Sequence, residues 1–334
     1  MNSAKYFCLY SCCIPVKGFK RSTICDLQRN SYMYIPNYLV DILLKGNYKV
    51  KINDKNNELN SWLFRMAEGD YGFYTDNKNT INSIRKIDLS FEEIRPITNS
   101  IIDFSPCSNH DTSEIFSQLS QLLCESVELR FFHSETVENI SDILESSNDS
   151  TFRSIEVLVK YNEELHTKDK LLLLFKRCNR LLKLTLHSAV DNYIFELDVN
   201  GKIIIYVTDI IDSESHCGVI SKGFFSANLP LFAEAIKYNS CLNKKISIDK
   251  NGFIRNCPSC KEDFGKFGDI SLQDALNLEQ SKYLWNINKE MIDDCKICEH
   301  RFMCQDCRAY IKDEKNILSK PAKCNYNPYE AAWS

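Results

Sequence analysis

Eight cysteines between residues 241 and 324 have the spacing of a metal-binding framework. Ten residues after Cys241 comes Gly252, and after four more Cys257, with Pro258 and Ser259 leading to Cys260. Cys295-Lys-Ile-Cys298, Cys304-Gln-Asp-Cys307 and Cys324 complete the set. Two thiolates separated by two residues can share one centre, because the intervening turn points them the same way and frees backbone N–H groups toward sulfur. The remaining eight (Cys8, Cys12, Cys13, Cys25, Cys107, Cys124, Cys178, Cys217) are scattered. Cys8, Cys25, Cys124 and Cys178 read as small buried hydrophobes. Met1–Lys5 leads into a mixed polar and apolar strand rather than an exported leader, so a cytoplasmic location is expected and thiols serve metals more readily than disulfides. Arg255, Lys261, Lys296, Arg301, Arg308 and Lys323 flank these thiols; each could offset thiolate charge or donate to sulfur, or be plain surface charge. His300 lies inside the Cys298 to Cys304 interval and could ligate zinc or stand beside the ligands.

Other chemistry is missing from the 334 residues. There is no phosphate loop, dinucleotide fingerprint, His-Glu-x-x-His or Gly-x-Ser-x-Gly, and the six histidines do not group. A formal charge of −4 supplies no basic field for a phosphate backbone, so no nucleic-acid partner is expected. No run of 18 apolar residues exists, and no membrane partner is expected.

The elements that must position the cysteines follow from hydrophobic pattern. Strands are expected at Tyr6–Cys12, Thr23–Leu27 and Ser31–Ile35, the first two separated by Val16-Lys17-Gly18. A helix capped by Asn37 carries Leu39, Val40, Leu43 and Leu44 to Gly46, and a second carries Leu59, Trp62, Leu63 and Met66 to Gly69, followed by strand Tyr71–Tyr74. Lys45–Asn57 reads equally as a short helix or as a strand at Lys49–Ile52. From residue 98 to 235, strands at Ile101–Phe104, Val127–Phe132, Ile155–Tyr161, Leu181–His187 and Ile203–Val207 alternate with helices. These helices lie around Ile115 to Leu123, at Val137–Leu144 and at Glu163–Phe175, as a parallel sheet requires. Asn200-Gly201 is the alternative, a hairpin turn that would make the last strand antiparallel. The chain is thus α/β in class, with boundaries near residues 97 and 235.

The order Cys241-x10-Gly252-x4-Cys257, then Cys295-x2-Cys298-x5-Cys304-x2-Cys307, then Cys324 looks like the SPASM domain of radical SAM peptide-modifying enzymes. That family normally has three residues where two separate Cys304 from Cys307. The resemblance implies two auxiliary 4Fe-4S clusters, with Cys295, Cys298, Cys304 and Cys324 on one and Cys241, Cys257 and Cys307 on the other; it supplies no fourth ligand for the second, for which Cys260 is the nearest candidate in the sequence and Cys217 a weaker one. The Cys-x3-Cys-x2-Cys motif of radical SAM enzymes is absent: Cys8 and Cys12 begin it, but Pro15 holds the third position and Cys107 stands alone. Cys13 is no substitute if adjacent thiols on a strand point apart. S-adenosylmethionine is therefore not expected as a cosubstrate.

With the phrases Cys241-Leu-Asn-Lys-Lys-Ile-Ser-Ile-Asp249, Asn256-Cys-Pro-Ser-Cys260 and Cys324-Asn-Tyr-Asn-Pro-Tyr329, the chain resembles the peptide maturases of grasp-with-spasm systems. The resemblance implies a winged-helix-like recognition domain over 1–97, a partial β/α barrel over 98–235 and a SPASM-like iron-sulfur domain over 236–334. It also implies a precursor peptide and an ATP-grasp ligase as partners. A leader peptide would then add as a strand beside Ser31–Ile35 and press on the helix with Trp62 and Met66. Whether the chain itself catalyses is left open, and binding or presentation of the precursor is the expectation. The alternative is a zinc-thiolate scaffold, with Cys257, Cys260, Cys295 and Cys298 in one site and Cys304, Cys307, Cys324 and His300 in another.

Overall fold

A computed structural model of the protein describes residues 6–46, 48–52, 56–197 and 201–334. The chain begins with β1 (Tyr6–Leu9), β2 (Cys13–Val16), β3 (Ser22–Asp26), β4 (Ser31–Ile35), α1 (Asn37–Lys45), β5 (Lys49–Lys51), α2 (Asn57–Glu68), β6 (Gly72–Thr75) and α3 (Lys78–Ser83). They form two antiparallel sheets, ordered β5-β1-β6 and β2-β3-β4. The strand expected at Tyr6–Cys12 therefore ends at Leu9, and β2, which was not expected, follows in a different sheet. Cys13 N–H donates to the Tyr10 carbonyl, closing a turn that ends β1 at Leu9. Asn37 is the first residue of α1 rather than its cap. Its side-chain carbonyl accepts from Ser22 Oγ (2.6 Å) and its amide donates to the Phe19 carbonyl (2.8 Å), tying the helix to the β2–β3 loop. Of the two readings of Lys45–Asn57, the strand is realised as β5, and residues 53–55 lie outside the described residues.

The α/β region follows as β7 (Asn99–Phe104), α4 (Thr112–Gln121), β8 (Ser126–Phe131), α5 (Val137–Glu145), β9 (Ser154–Lys160), α6 (Lys168–Arg177), β10 (Leu181–His187), β11 (Tyr193–Glu196) and β12 (Ile203–Tyr206). Then come α7 (Leu229–Lys237), β13 (Lys245–Ile248), β14 (Ile254–Arg255), α8 (Leu272–Asn277), β15 (Tyr326–Asn327) and β16 (Ala332–Trp333). Eight strands make one mostly parallel sheet in the order β11-β12-β10-β9-β8-β7-β13-β14. Crossovers from β7 to β10 advance in one direction, which for right-handed connections puts α4, α5 and α6 on one face. That face is dry: Ile102, Phe104, Val127, Leu129, Phe131, Ile155, Val157 and Val159 pack there in the main core. Side chains alternate along a strand, so the opposite face carries Asp103, Glu128, Arg130, Glu156 and Lys183.

Both readings of the Ile203 strand are realised at once. β12 runs parallel to β10 and antiparallel to β11, so it is a sheet strand and one arm of a hairpin. Asn200 of the expected turn lies outside the described residues, and Gly201 has φ +68°. The helix expected from Glu163 starts only at Lys168, because Asn162 Oδ1 takes the N–H groups of Glu164 and Leu165 into a turn. Leu123 is exposed at φ +59°, past the end of α4. Strand β13 was not legible in the hydrophobic pattern; it pairs parallel to β7 and delivers the cysteine segment to the sheet edge. Among the described residues no helix is long and apolar enough to cross a membrane.

Candidate metal centres

The last eighty residues contain little regular structure, and short turns aim their thiols. Cys298 N–H donates to the Cys295 carbonyl (2.9 Å) and Cys260 N–H to the Cys257 carbonyl (2.8 Å), so each pair closes one tight turn. The eight cysteines sort into two groups of four. Cys295, Cys298, Cys304 and Cys324 are linked in one set: Cys295 feels the thiols of Cys304 and Cys324, Cys298 those of Cys304 and Cys295, and Cys304 that of Cys324. Cys241, Cys257, Cys260 and Cys307 make the second group, with Cys260 feeling the other three. All are buried or half-buried. Burial pushes the thiols of Cys295 and Cys257 up to about 12, and those of Cys298, Cys260, Cys304 and Cys307 upward as well.

Donors already face the sulfurs. Backbone N–H groups of Ser259, of His300, and of Ala309 and Tyr310 aim at Cys257, Cys298 and Cys307 respectively. Lys289 donates to Cys304 Sγ at 3.2 Å, and Lys245, on β13, to Cys241 Sγ at 3.8 Å. Gly218 rests against the second group: at φ +83°, a Cβ there would lie 2.8 Å from Cys307 Sγ. Its neighbour Cys217 accepts from Arg130 Nη1 at 2.8 Å, while the other two arms of Arg130 hold Asp103 bidentately at 2.6 and 2.8 Å. Cys217 therefore stands beside the second group on its own partner. Four soft donors per group, amide hydrogens on sulfur, an ammonium at each group and a glycine where a methyl would not fit are features that suit a thiolate-bound metal.

No family model matches the chain. No curated protein matches it either. Among solved structures, the crystal structure of SuiB from Streptococcus suis aligns over 94% of this chain and 98% of that one, with 10% identity and a TM-score of 0.30.

The flanking cations singled out in the sequence are occupied elsewhere. Arg255 holds Asp249 and the carbonyls of Cys260 and Lys261, Lys261 pairs with Glu314, and Lys296 with Asp293. Arg301 holds the carbonyls of Lys17 and Cys298, Arg308 holds Asp306, and Lys323 reaches the carbonyls of Ser215 and Cys217. The two lysines that do reach sulfur were missed. Lys245 had a faint signal, four residues after Cys241 at the start of an alternating strand; Lys289 had none.

His300 lies with its Nδ1 3.7 Å from Cys298 Sγ and its Nε2 2.9 Å from Tyr34 Oη, and burial pushes it down to about 4. Tyr32, Phe225 and Tyr326 complete a ring around it. Beside it, Glu299 Oε1 accepts from Arg21 (2.7 Å) and from Tyr326, so β3, β4 and the cysteine segment are stitched together. A separate trio lies near the N-terminus: the ligand atoms of Cys12, Cys13 and Asp26 are within 4.8 Å of one another. The expectation that adjacent thiols point apart fails here because Cys12 sits in the turn before β2, not in the strand. Asp26 is committed to Arg29 and to the N–H groups of Gln28 and Arg29.

Proposed function

We propose that the C-terminal third holds two 4Fe-4S clusters, one on Cys295, Cys298, Cys304 and Cys324, the other on Cys241, Cys257, Cys260 and Cys307. The observation that carries this reading is the sorting of eight thiols into two groups of four, each with a lysine ammonium at hydrogen-bonding range of one sulfur. It favours Cys260 over Cys217 as the fourth ligand, since Cys217 is taken by Arg130. The preference for clusters over zinc rests on the order and spacing of the eight cysteines; the ligand atoms of Cys298, Glu299 and His300, within 4.8 Å of one another, are the feature that favours the zinc alternative. Bound there, such clusters supply one-electron transfer, and metal binding contributes to folding a segment poor in regular structure.

In this reading residues 236–334 are a SPASM-like domain, 98–235 a partial β/α barrel and 1–97 a winged-helix-like recognition domain. The chain binds or presents the precursor of a ribosomally made peptide to an ATP-grasp ligase. Among the described residues β4 pairs only with β3, which leaves an edge for an added strand. Tyr34 on that strand touches His300, so a peptide at this edge lies close to the Cys298 group. Met66 is fully buried and unavailable to a leader, whereas Trp62 is partly exposed.

Iron, acid-labile sulfide and zinc, measured with Mössbauer spectra on protein purified without oxygen, test the proposal. About eight irons and eight sulfides per chain are expected, roughly halved in a Cys298→Ala, Cys304→Ala variant. Stoichiometric zinc with negligible sulfide would replace the clusters by a zinc-thiolate scaffold.

A further inference from the structure

Each four-thiol group is served by one lysine that has no carboxylate partner. Lys289 is 4% exposed, with its Nζ 3.2 Å from Cys304 Sγ. The nearby carboxylate, Asp306, is already committed to Arg308 at 2.7 Å and to Asn239 at 2.6 Å. Lys245 points to Cys241 Sγ at 3.8 Å, with Cys257, Glu128 and Cys217 in electrostatic reach. Among the described residues neither lysine forms an ion pair with a carboxylate. Lys289 is buried with its ammonium on a thiol and with Asp306 taken by Arg308 and Asn239, and burying a charge without a counter-charge is strongly unfavourable. Negative charge on Cys304 supplies that counter-charge, and negative charge on Cys241 would do the same for the half-buried Lys245.

We propose that Lys289 and Lys245 are dedicated counter-charges, one per centre, that raise the reduction potentials of the clusters and keep the two potentials separately adjustable. This rests on the iron-sulfur reading above. A cluster gains one negative charge on accepting an electron, so a positive charge at a ligand sulfur stabilises the reduced form more than the oxidised one. The lysines reach different groups, Lys289 through Cys304 and Lys245 through Cys241, so each substitution is expected to act chiefly on its own centre.

The test is a potentiometric titration of the full-length holoprotein, followed by electron paramagnetic resonance, with iron and sulfide assayed on every sample. The variants are Lys289→Met, Lys245→Met, Lys289→Arg and Lys289→Gln. Each methionine variant is expected to shift one midpoint negative, by about tenfold in the reduction equilibrium or about 59 mV for one electron, and Lys289→Arg to restore most of it. Iron-loaded methionine variants with unmoved midpoints overturn the assignment. If Lys289→Met releases iron, retention by Lys289→Arg and loss by Lys289→Gln support the charge role. Loss by both makes the residue a packing element and overturns the proposal. Wild-type protein free of iron and sulfide overturns the cluster reading itself, a result distinct from unmoved potentials in loaded protein.

Discussion

Replacing Gly218 by alanine adds one methyl group at a place where the backbone and a sulfur atom both object to it. At φ +83° a residue with a Cβ is strained by about 1–2 kcal/mol. The new carbon would also lie 2.8 Å from Cys307 Sγ and 3.2 Å from the Tyr310 ring, so the loop or the thiol must move, at a cost of about 1–3 kcal/mol. Gly268 separates the two contributions: its φ is +99° and nothing lies within 4 Å of its added Cβ, so Gly268→Ala carries the backbone strain alone. Chemical denaturation of anaerobic protein should place Gly218→Ala about 1–3 kcal/mol below Gly268→Ala. The metal assay should show loss at the group containing Cys241, Cys257, Cys260 and Cys307, and retention at the other. Equal stability of the two variants with full metal in both would refute the claim that the Cys217–Gly218 turn closes against Cys307.

Three further outcomes follow from the geometry. Cys260→Ala should lower the metal content of that same group, whereas Cys217→Ala should leave it near wild type; the reverse pattern would exchange their roles. Asp103→Asn leaves the Arg130 guanidinium buried without its counter-charge and should destabilise by about 3–5 kcal/mol, with the double variant Asp103→Asn, Arg130→Met recovering much of the loss, as read by urea denaturation. Glu93 is held down to about 2 by the Arg95 side chain, below its ordinary 4.5. A lowered carboxyl stabilises the fold above its unfolded value and loses that contribution as pH falls through its folded one. The stability difference between wild type and Glu93→Gln, about 1 kcal/mol at pH 7 once solvent screening is allowed for, should therefore shrink between about pH 4.5 and 2.

Much of the central fold was legible because β-branched and aromatic residues alternate with helical spacings from Ile101 to Ile205, and a buried parallel strand leaves that signature. Sequence periodicity failed where tertiary bonding intervened. Asn37 resembles a cap by type, yet its amide is used by the β2–β3 loop. Lys245–Ile248 contains too few residues to announce a strand and takes its conformation from β7. The two lysines that reach sulfur are a sharper case. Arg308 and Lys323 lie next to thiols in sequence and Arg301 three residues from two of them, yet all three are used on carbonyls and carboxylates, while Lys289 is six residues from the nearest cysteine and touches one 15 residues away. Adjacency in an irregular segment says little about direction, because no helical or strand period relates one side chain to the next.

The same reasoning explains why spacing alone misleads within the cysteine set. Cys257 and Cys260, two residues apart, fall in one group, as do Cys295 and Cys298, but Cys304 and Cys307 at identical spacing are divided between the groups. Between the last two sits Asp306, wholly buried, with one carboxylate oxygen on Arg308 and the other on Asn239. A carboxylate fixed from both sides anchors the chain at that residue. Cys304 before it turns toward Lys289, and Cys307 after it toward Gly218. Asn239 belongs to the turn that carries Cys241, where its side-chain carbonyl accepts the N–H groups of Cys241 and Leu242. One asparagine thus connects the anchor dividing the Cys304–Cys307 pair to the first cysteine of the second group, so the two groups of thiols are positioned by a shared polar core and not by separate loops.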